Sequence, residues 1–455
     1  MLPLPEQFIH SLSATAGFDE QAFRDVHASG EKIISVRINP AKGFPVTEHF
    51  PGAEQIPWCS SGYYLPARPS FTLDPLFHAG AYYVQEASSM FLEEVLRQSC
   101  DLSKPLRVLD LCASPGGKST LVQSLITPDS LLVSNEVIKT RVGTLADNIT
   151  KWGAANTVVT NNDAKDFQRL PGFFDVIVVD APCSGSGLFR KDNEAVSEWS
   201  LNNVELCSRR QQRILTDVLP ALRPGGKLIY STCSYSAAED EEITDMLAGV
   251  HGMQGEKLNI EKFPGIIETR SAKHHSYGYR LYPDKIRGEG FFIAVCTKPG
   301  NDIPGFNNKK TTAAAVSAAE RLALLQYIDH PEQFEFIKQK DDLLAFPKER
   351  LNDLEQLRNA LYIKKAGVNA GTLIRGQLVP AHDLAMSTVI SNIFPSAELE
   401  LPAALDYLRK KNIYLSGAQQ GWTLIKYSGH TLGFAKVLPG RVNNYYPSGL
   451  RILNR

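Results

Sequence analysis

Several things are scarce in this chain. Cysteine is rare: seven in 455 residues, with no CxxC pair and no zinc-like spacing. Neither a disulfide-framed fold nor a zinc module is expected, and no metal is assigned. No apolar run comes near the ~18 residues that a membrane helix needs. The opening stretch, MLPLPEQFIHSL, has no basic cluster ahead of its apolar part. No secretory signal is therefore expected, and the thiols are read as reduced, in the cytoplasm. Net charge is close to nil at -1, and there is no internal repeat or long biased tract. What is present is an ordinary globular composition, 43% apolar and 21% charged. Such a chain can bury a core over most of its length and build roughly three domains.

Charge becomes informative once divided. Residues 1–104 carry a net -5, residues 105–300 a net -1, and residues 301–455 a net +5. A basic C-terminal end is a weak pointer to a polyanion partner, and equally to a mildly basic surface. The clearest seam is PGNDIPGFNNKKTTAAAVSAAE, residues 299–320, and a softer one lies at CDLSKP, residues 100–105. The expected units are an N-terminal extension (1–104), a central domain (105–300), a linker (301–319) and a C-terminal region (320–455).

The centre alternates strand-like and helix-like segments. LRVLDLC (106–112), LLVSNE (131–136), NTVVTNND (156–163), FFDVIVVDAPC (173–183) and KLIYSTCSY (227–235) read as strands. Helical patterns fall between them, one over 202–226 stopped by Pro-Gly-Gly. YRLYP and FFIAVCT close the region as an antiparallel-looking pair. Near-continuous apolar strands joined by helices predict an α/β domain with a parallel sheet covered on both faces. Ligands of such sheets bind beyond the carboxyl ends of the strands.

The first strand ends in a Gly-rich turn, Cys112-Ala113-Ser114-Pro115-Gly116-Gly117-Lys118. A phosphate-binding P-loop would need glycine at 112, where Cys stands, and GxGxxG is absent, so neither nucleotide motif fits. Glu136 ends strand two, placed to accept from ribose hydroxyls, and Asp163 ends strand three, suited to an adenine amino group. Asp180 ends strand four. Taken singly, each could be a helix N-cap. Together on one sheet edge they point to an adenosine-bearing cofactor without a phosphate cradle, and S-adenosylmethionine fits. Arg141, on the helix after strand two, is placed with them.

Two thiols share that edge: Cys183 after strand four and Cys233 after strand five. Carbon-5 of a pyrimidine is too weak a nucleophile to take a methyl group directly. A thiolate adding to carbon-6 makes it an enamine carbon that can. An acid near the ring, such as Asp180, would orient the base and support charge during addition. The chemistry alone does not order the two thiols.

At these residues the chain resembles the Sun/Nop-type RNA 5-methylcytosine methyltransferases, most of all the bacterial RsmF-like members that modify small-subunit ribosomal RNA. The resemblance is carried by DLCASPGGKST, NEVIKTRVGTLADNITKWG, VIVVDAPCSGSGLFRKD and RPGGKLIYSTCSYSAAEDE. SVRINP (35–40) and LDPLFHAGAYYVQEASSM (73–90) support it upstream. It implies a Rossmann-like seven-stranded methyltransferase domain, an N-terminal α+β RNA-binding extension and a C-terminal PUA-like β-rich RNA-binding domain. It further implies that Cys112 to Lys118 hold the cofactor turn, Glu136 the ribose, Asp163 the adenine side, and that Asp180 is catalytic. On the same ground Cys233 is the nucleophile and Cys183 assists release. Arg190 and Lys191, beside the GSG turn, are expected to hold an RNA phosphate; the alternative is a solvated pair.

The C-terminal end interleaves Trp422, Tyr427, Phe434, Tyr445 and Tyr446 with Lys426, Lys436 and Arg441. On small β structure this suits RNA phosphates and unstacked bases, while most of the aromatics would serve as core. The expected partner is RNA, ribosomal or as an assembled small subunit, with the chain acting as a monomer. Transfer RNA, DNA, or a non-catalytic assembly role remain the alternatives.

Overall fold

The structure is a computed structural model and describes residues 2–300 and 316–453; most of the expected linker, 301–315, lies outside them. The N-terminal part forms a four-stranded antiparallel sheet from β1 (Ile34–Ile38), β2 (Glu54–Gln55), β3 (Gly62–Leu65) and β4 (Tyr82–Val84), in the order β2-β3-β1-β4.

The central region builds on β5 (Arg107–Asp110), α1 (Gly117–Leu125), β6 (Leu131–Asn135), α2 (Lys139–Trp152), β7 (Thr157–Thr160), β8 (Phe174–Asp180), α3 (Leu201–Val218), β9 (Leu222–Thr232) and α4 (Glu241–His251). It continues through β10 (Gln254–Gly255), β11 (Ile266–Arg270), β12 (Tyr277–Leu281) and β13 (Phe291–Thr297). Strands β5 to β9 pair in parallel, and β13 enters antiparallel to β9, followed by β12. The seven core strands thus run β7-β6-β5-β8-β9-β13-β12, with β11 beyond β12 and β10 on β13. Alternate residues face opposite ways, as a strand's period of two requires. Leu109, Val133, Ile177 and Val179 enter one core, and Val108, Leu132, Val176 and Val178 the other. Burial on both faces explains the nearly unbroken apolar strands.

Two expectations shift. The helix read over 202–226 ends at Val218, because Pro220 lacks the N–H a further turn would need. Pro224 to Gly226 instead bulge inside β9, between the Phe174–Leu222 and Val176–Lys227 pairings. Strand three also stops early. β7 closes at Thr160, and Asp163 caps the following 3-10 turn rather than ending the strand.

The C-terminal stretch holds two further sheets. The first is β14 (Phe334–Gln339), β15 (Asp342–Pro347), β17 (Val368–Ile374) and β18 (Gln377–Pro380). Between β15 and β17, β16 (Ile363–Ala366) leaves this sheet and pairs antiparallel with β7 as the edge of the central sheet. The second sheet is β19 (Ser396–Glu398), β20 (Gly421–Tyr427), β21 (His430–Leu438) and β22 (Arg441–Asn444). Its core takes in Ala79 of the N-terminal part, and His430 Nε2 meets the Lys42 carbonyl at 3.0 Å. The region expected as one β-rich unit from 320 onward is therefore two sheets, woven into the central sheet and the N-terminal part.

Candidate active site

The turn Cys112 to Lys118 links β5 to α1. Gly116 stands at φ 116°, a left-handed conformation that suits glycine, and serves as the N-cap of α1. The turn is pinned from several sides. Ala113 N–H donates to the Asn135 carbonyl at 2.8 Å, and Arg141 donates to the Ser114 carbonyl at 2.7 Å. Arg37, in the SVRINP stretch on β1, is fully buried and donates to the Gly117 carbonyl and Thr120 Oγ1. Burial lowers its guanidinium to about 10. The N-terminal part thus holds the start of α1 in place. Asp110 just before the turn is fully buried and accepts from Ser119 Oγ at 2.6 Å. Burial raises its carboxyl to about 7.

A cavity of about 460 Å³ opens at this edge. Its wall includes Cys112, Ser114, Glu136, Arg141, Asp163 and Asp180, together with both Cys183 and Cys233. A second cavity of about 160 Å³ lies on the other side of the turn. There Tyr83, Gln85 and Ser89 of the N-terminal part face Lys118 and Asp180. Asp180 borders both spaces. One of its oxygens pairs with Lys118 Nζ at 2.7 Å, and the other accepts from Ser231 Oγ at 2.9 Å. Burial disfavours the Lys118 ammonium, but the charge and hydrogen bond of Asp180, with Asp110 and Cys233 nearby, together more than offset it and raise the ammonium above its ordinary value.

The thiols meet. Cys183 Sγ and Cys233 Sγ are 3.1 Å apart, each partly buried. Contact with Cys233, then burial, pushes the Cys183 thiol well up. The backbone beside them is tight: Gly187 N–H donates to the Cys233 carbonyl at 2.6 Å, and a Cβ at Gly187 would lie 2.5 Å from that oxygen. Only glycine fits there.

Three family descriptions match the chain in succession. They are the N-terminal domain of 16S rRNA methyltransferase RsmF over residues 4–87, 16S rRNA methyltransferase RsmB/F over 100–297, and the methyltransferase RsmF PUA domain over 394–452. Together these matches span most of the chain, in the order of an RsmF-type methyltransferase, and mark it as similar to the RsmB/F methyltransferases. Relatives called ribosomal RNA small subunit methyltransferase F include one from Vibrio cholerae, 29% identical over 99% of this chain and 98% of its own length. Another, from Aeromonas salmonicida, is 28% identical over 98% and 97%. A solved methyltransferase homolog from Pyrococcus horikoshii is 25% identical, covering 65% of this chain and all of its own, with a TM-score of 0.52. NSun6 from the same organism, solved with SFG, shares the fold at 18% identity over 66% of this chain and 99% of its own, with a TM-score of 0.53.

The cofactor is S-adenosylmethionine, and the residues present fit it. Glu136 is 4% exposed at the cavity wall, held by the Ile138 N–H at 2.8 Å and by Arg141 at 3.7 Å. This leaves a fixed carboxylate to accept from ribose hydroxyls. Asp163, its side chain accepting from Lys165 N–H, faces the same space beside Asn162.

Arg190 is a correction. It does not face solvent beside the GSG turn but is 4% exposed. It donates to the Gly288 carbonyl at 2.9 Å and the Glu31 carbonyl at 2.7 Å, and lies 3.4 Å from the Glu289 carboxylate. Phe189 turns into an aromatic core with Phe8 and Trp199, and this carries Arg190 inward to balance buried Glu289. Lys191 remains exposed, 3.9 Å from Glu289. Sequence reading missed Arg210 and Arg213 on α3. Both line the larger cavity and are exposed, with no ion pair or hydrogen bond among the described residues. Their i, i+3 spacing on a helix leading from Cys183 was the available signal.

At the C-terminal end the aromatics divide. Phe434 and Tyr446 are core, while Tyr445 is exposed and packs on Trp422 at 4.4 Å. Lys436 Nζ lies 5.2 Å over the Trp422 ring, and Arg441 is exposed nearby on β22.

Proposed function

We propose that this protein methylates carbon-5 of a cytosine in small-subunit ribosomal RNA, with Cys233 as nucleophile and Cys183 assisting release. The observation that carries this reading is the pair of sulfurs 3.1 Å apart at the wall of the cavity that Glu136 and Asp180 share. Two thiols within reach of one ring atom suit an addition–elimination cycle; a merely structural pair gains nothing from lining a cofactor cavity.

Cys183, its thiol pushed up, keeps its proton longer than an ordinary thiol and so acts as the donor toward Cys233. The Cys233 thiolate adds to carbon-6, making carbon-5 an enamine carbon. Bound S-adenosylmethionine supplies the methyl group that this carbon takes. A solvent water takes the carbon-5 proton, and the Cys233 thiolate departs with the Cys183 thiol donating to it, which restores the ring double bond. Asp180, held at both oxygens by Lys118 and Ser231, orients the base through its ring nitrogen and amino group. Lys118 balances the charge developing on the ring during addition.

The RNA path follows from the same geometry. Arg210 and Arg213 offer unpaired guanidinium groups at the mouth for phosphates flanking the target nucleotide. Lys191 adds a third cation, and Trp422, Lys436, Tyr445 and Arg441 form a recruiting surface. The relatives' names place their substrate in the small ribosomal subunit. The test is single-turnover methylation of small-subunit ribosomal RNA with labelled cofactor, followed by bisulfite mapping. A single protected cytosine is expected. Label on transfer RNA alone, label resistant to mapping at cytosine, or no label would each overturn the reading.

A further inference from the structure

The two cysteine loops share one anchor that none of the chemistry above uses. Glu239 is fully buried in a 3-10 turn six residues after Cys233. One carboxylate oxygen accepts from the Ser184 peptide N–H at 2.8 Å and from Gln211 Nε2 at 3.2 Å. The other accepts from the hydroxyls of Ser184 at 2.5 Å and Ser234 at 2.6 Å. Ser184 and Ser234 are the residues that follow Cys183 and Cys233. Glu239 thus grips the same position in both loops. Its own backbone is fixed, since Tyr230 donates its hydroxyl to the Glu239 carbonyl at 2.6 Å. Gln211 ties α3 into the cluster by also donating to the Pro182 carbonyl at 3.1 Å. A carboxylate this deep is tolerated because four donors meet it.

We propose that Glu239 is a positioning residue that sets the spacing of the two thiols by holding Ser184 and Ser234 on one carboxylate. The inference rests on the reading that both thiols serve one reaction. Its charge has a second effect: it disfavours a thiolate at Cys183, which keeps the proton on that sulfur. The carboxylate thereby assists in separating a donor thiol from a nucleophile, besides fixing the distance.

The test reads thiol spacing directly, without RNA. A trivalent organic arsenical oxide condenses with two neighbouring thiols, forming two As–S bonds and releasing one water. The full-length protein should capture one arsenical at this pair, and Cys183→Ser should abolish the capture. Glu239→Ala should weaken capture at least tenfold while calorimetric affinity for S-adenosylmethionine stays unchanged. Glu239→Gln keeps the volume and one carbonyl acceptor but removes the charge. It should capture within a few-fold of wild type, and the pH profile of Cys183 alkylation, read by mass spectrometry, should move to lower pH. That shift is expected from removing a negative charge beside a thiol, and a purely structural side chain would not cause it. Glu239→Ala capturing as tightly as wild type would overturn the proposal, as would an unmoved pH profile in Glu239→Gln. Should Glu239→Ala fail to fold, Glu239→Gln alone still decides. Intact capture with no RNA methylation would refute the cytosine reading and leave the positioning role standing.

Discussion

The carboxyl edge of the catalytic sheet and the outer face of the last sheet use the same residue types to opposite ends. At the sheet edge, charged groups are enclosed and answered: half-buried Asp180 by Lys118 and Ser231, buried Arg190 by Glu289 and two carbonyls. On β20 to β22, Lys436 lies over Trp422 while Tyr445 and Arg441 are exposed. Reaction chemistry needs fixed positions and weak screening, so its charges are enclosed. Recruitment needs charges that water and salt can reach, so that phosphate can displace both. Arginine therefore means one thing at 190 and another at 441, and burial is what separates the meanings.

The largest contrast should come from the thiols. Cys233→Ala is expected to abolish methylation and to give no covalent RNA adduct. Cys183→Ala should still add to the ring but stall, leaving a denaturation-resistant protein–RNA band. An adduct from Cys233→Ala and none from Cys183→Ala would reverse the two roles.

Arg190 tests the buried half of the comparison. Removing it leaves buried Glu289 with only the exposed Lys191, 3.9 Å away, as a cation, and breaking a buried ion pair costs about 3–5 kcal/mol. Arg190→Ala should lower stability by that order in denaturant titration. If it instead weakened RNA binding at unchanged stability, the expectation from sequence would have been right and its burial misleading. Glu136→Ala comes next. Losing hydrogen bonds to a charged acceptor costs about 1.5–3 kcal/mol, or roughly 10–100-fold in affinity for S-adenosylmethionine. Unchanged calorimetric affinity would remove Glu136 from the ribose site.

How far these groups were legible in the sequence differs by location. That the turn after β5, Glu136, Asp180 and the two thiols share one sheet edge was legible because each lies at or just after a strand end, where burial patterns mark both strand and stop. Arg190 was misread because nothing local reveals that Glu289, 99 residues later, waits for it in the core. Glu239 was passed over for a similar reason: its donors come from three separate segments. Strand β16 was hidden by its place in the chain, since an edge strand contributed from about 200 residues downstream leaves no mark near β7. It also changes an experiment. Deleting everything from 320 onward would strip an edge from the catalytic sheet, so recruitment has to be tested with point substitutions.

Arg210 and Arg213 stand between the two regimes, lining the cavity yet exposed. The double substitution Arg210→Glu, Arg213→Glu should weaken RNA binding on the order of tenfold or more. It should also flatten the salt dependence of binding to single-stranded RNA, by about 0.7 in log–log slope for each phosphate no longer neutralised. Affinity for S-adenosylmethionine should stay as it was. A loss of cofactor affinity with RNA binding intact would assign the pair to the adenosine end instead.

The smallest effect is expected at the outer sheet. Lys436→Glu with Arg441→Glu reverses two charges of the proposed recruiting surface that lie away from the thiols and Asp180. Exposed phosphate pairings are individually weak and screened, so RNA affinity should fall only a few-fold near physiological salt. The same variant should lose more at low salt, where these charges act over a longer range. Single-turnover methylation at saturating RNA should be unchanged, because the thiols, Asp180 and the cofactor turn lie in another sheet. That split, binding altered and chemistry not, is what separates a recruiting surface from a catalytic one. A slowed single turnover at saturating RNA would mean that the outer sheet also orients the target nucleotide, and the division between the two regions would fail.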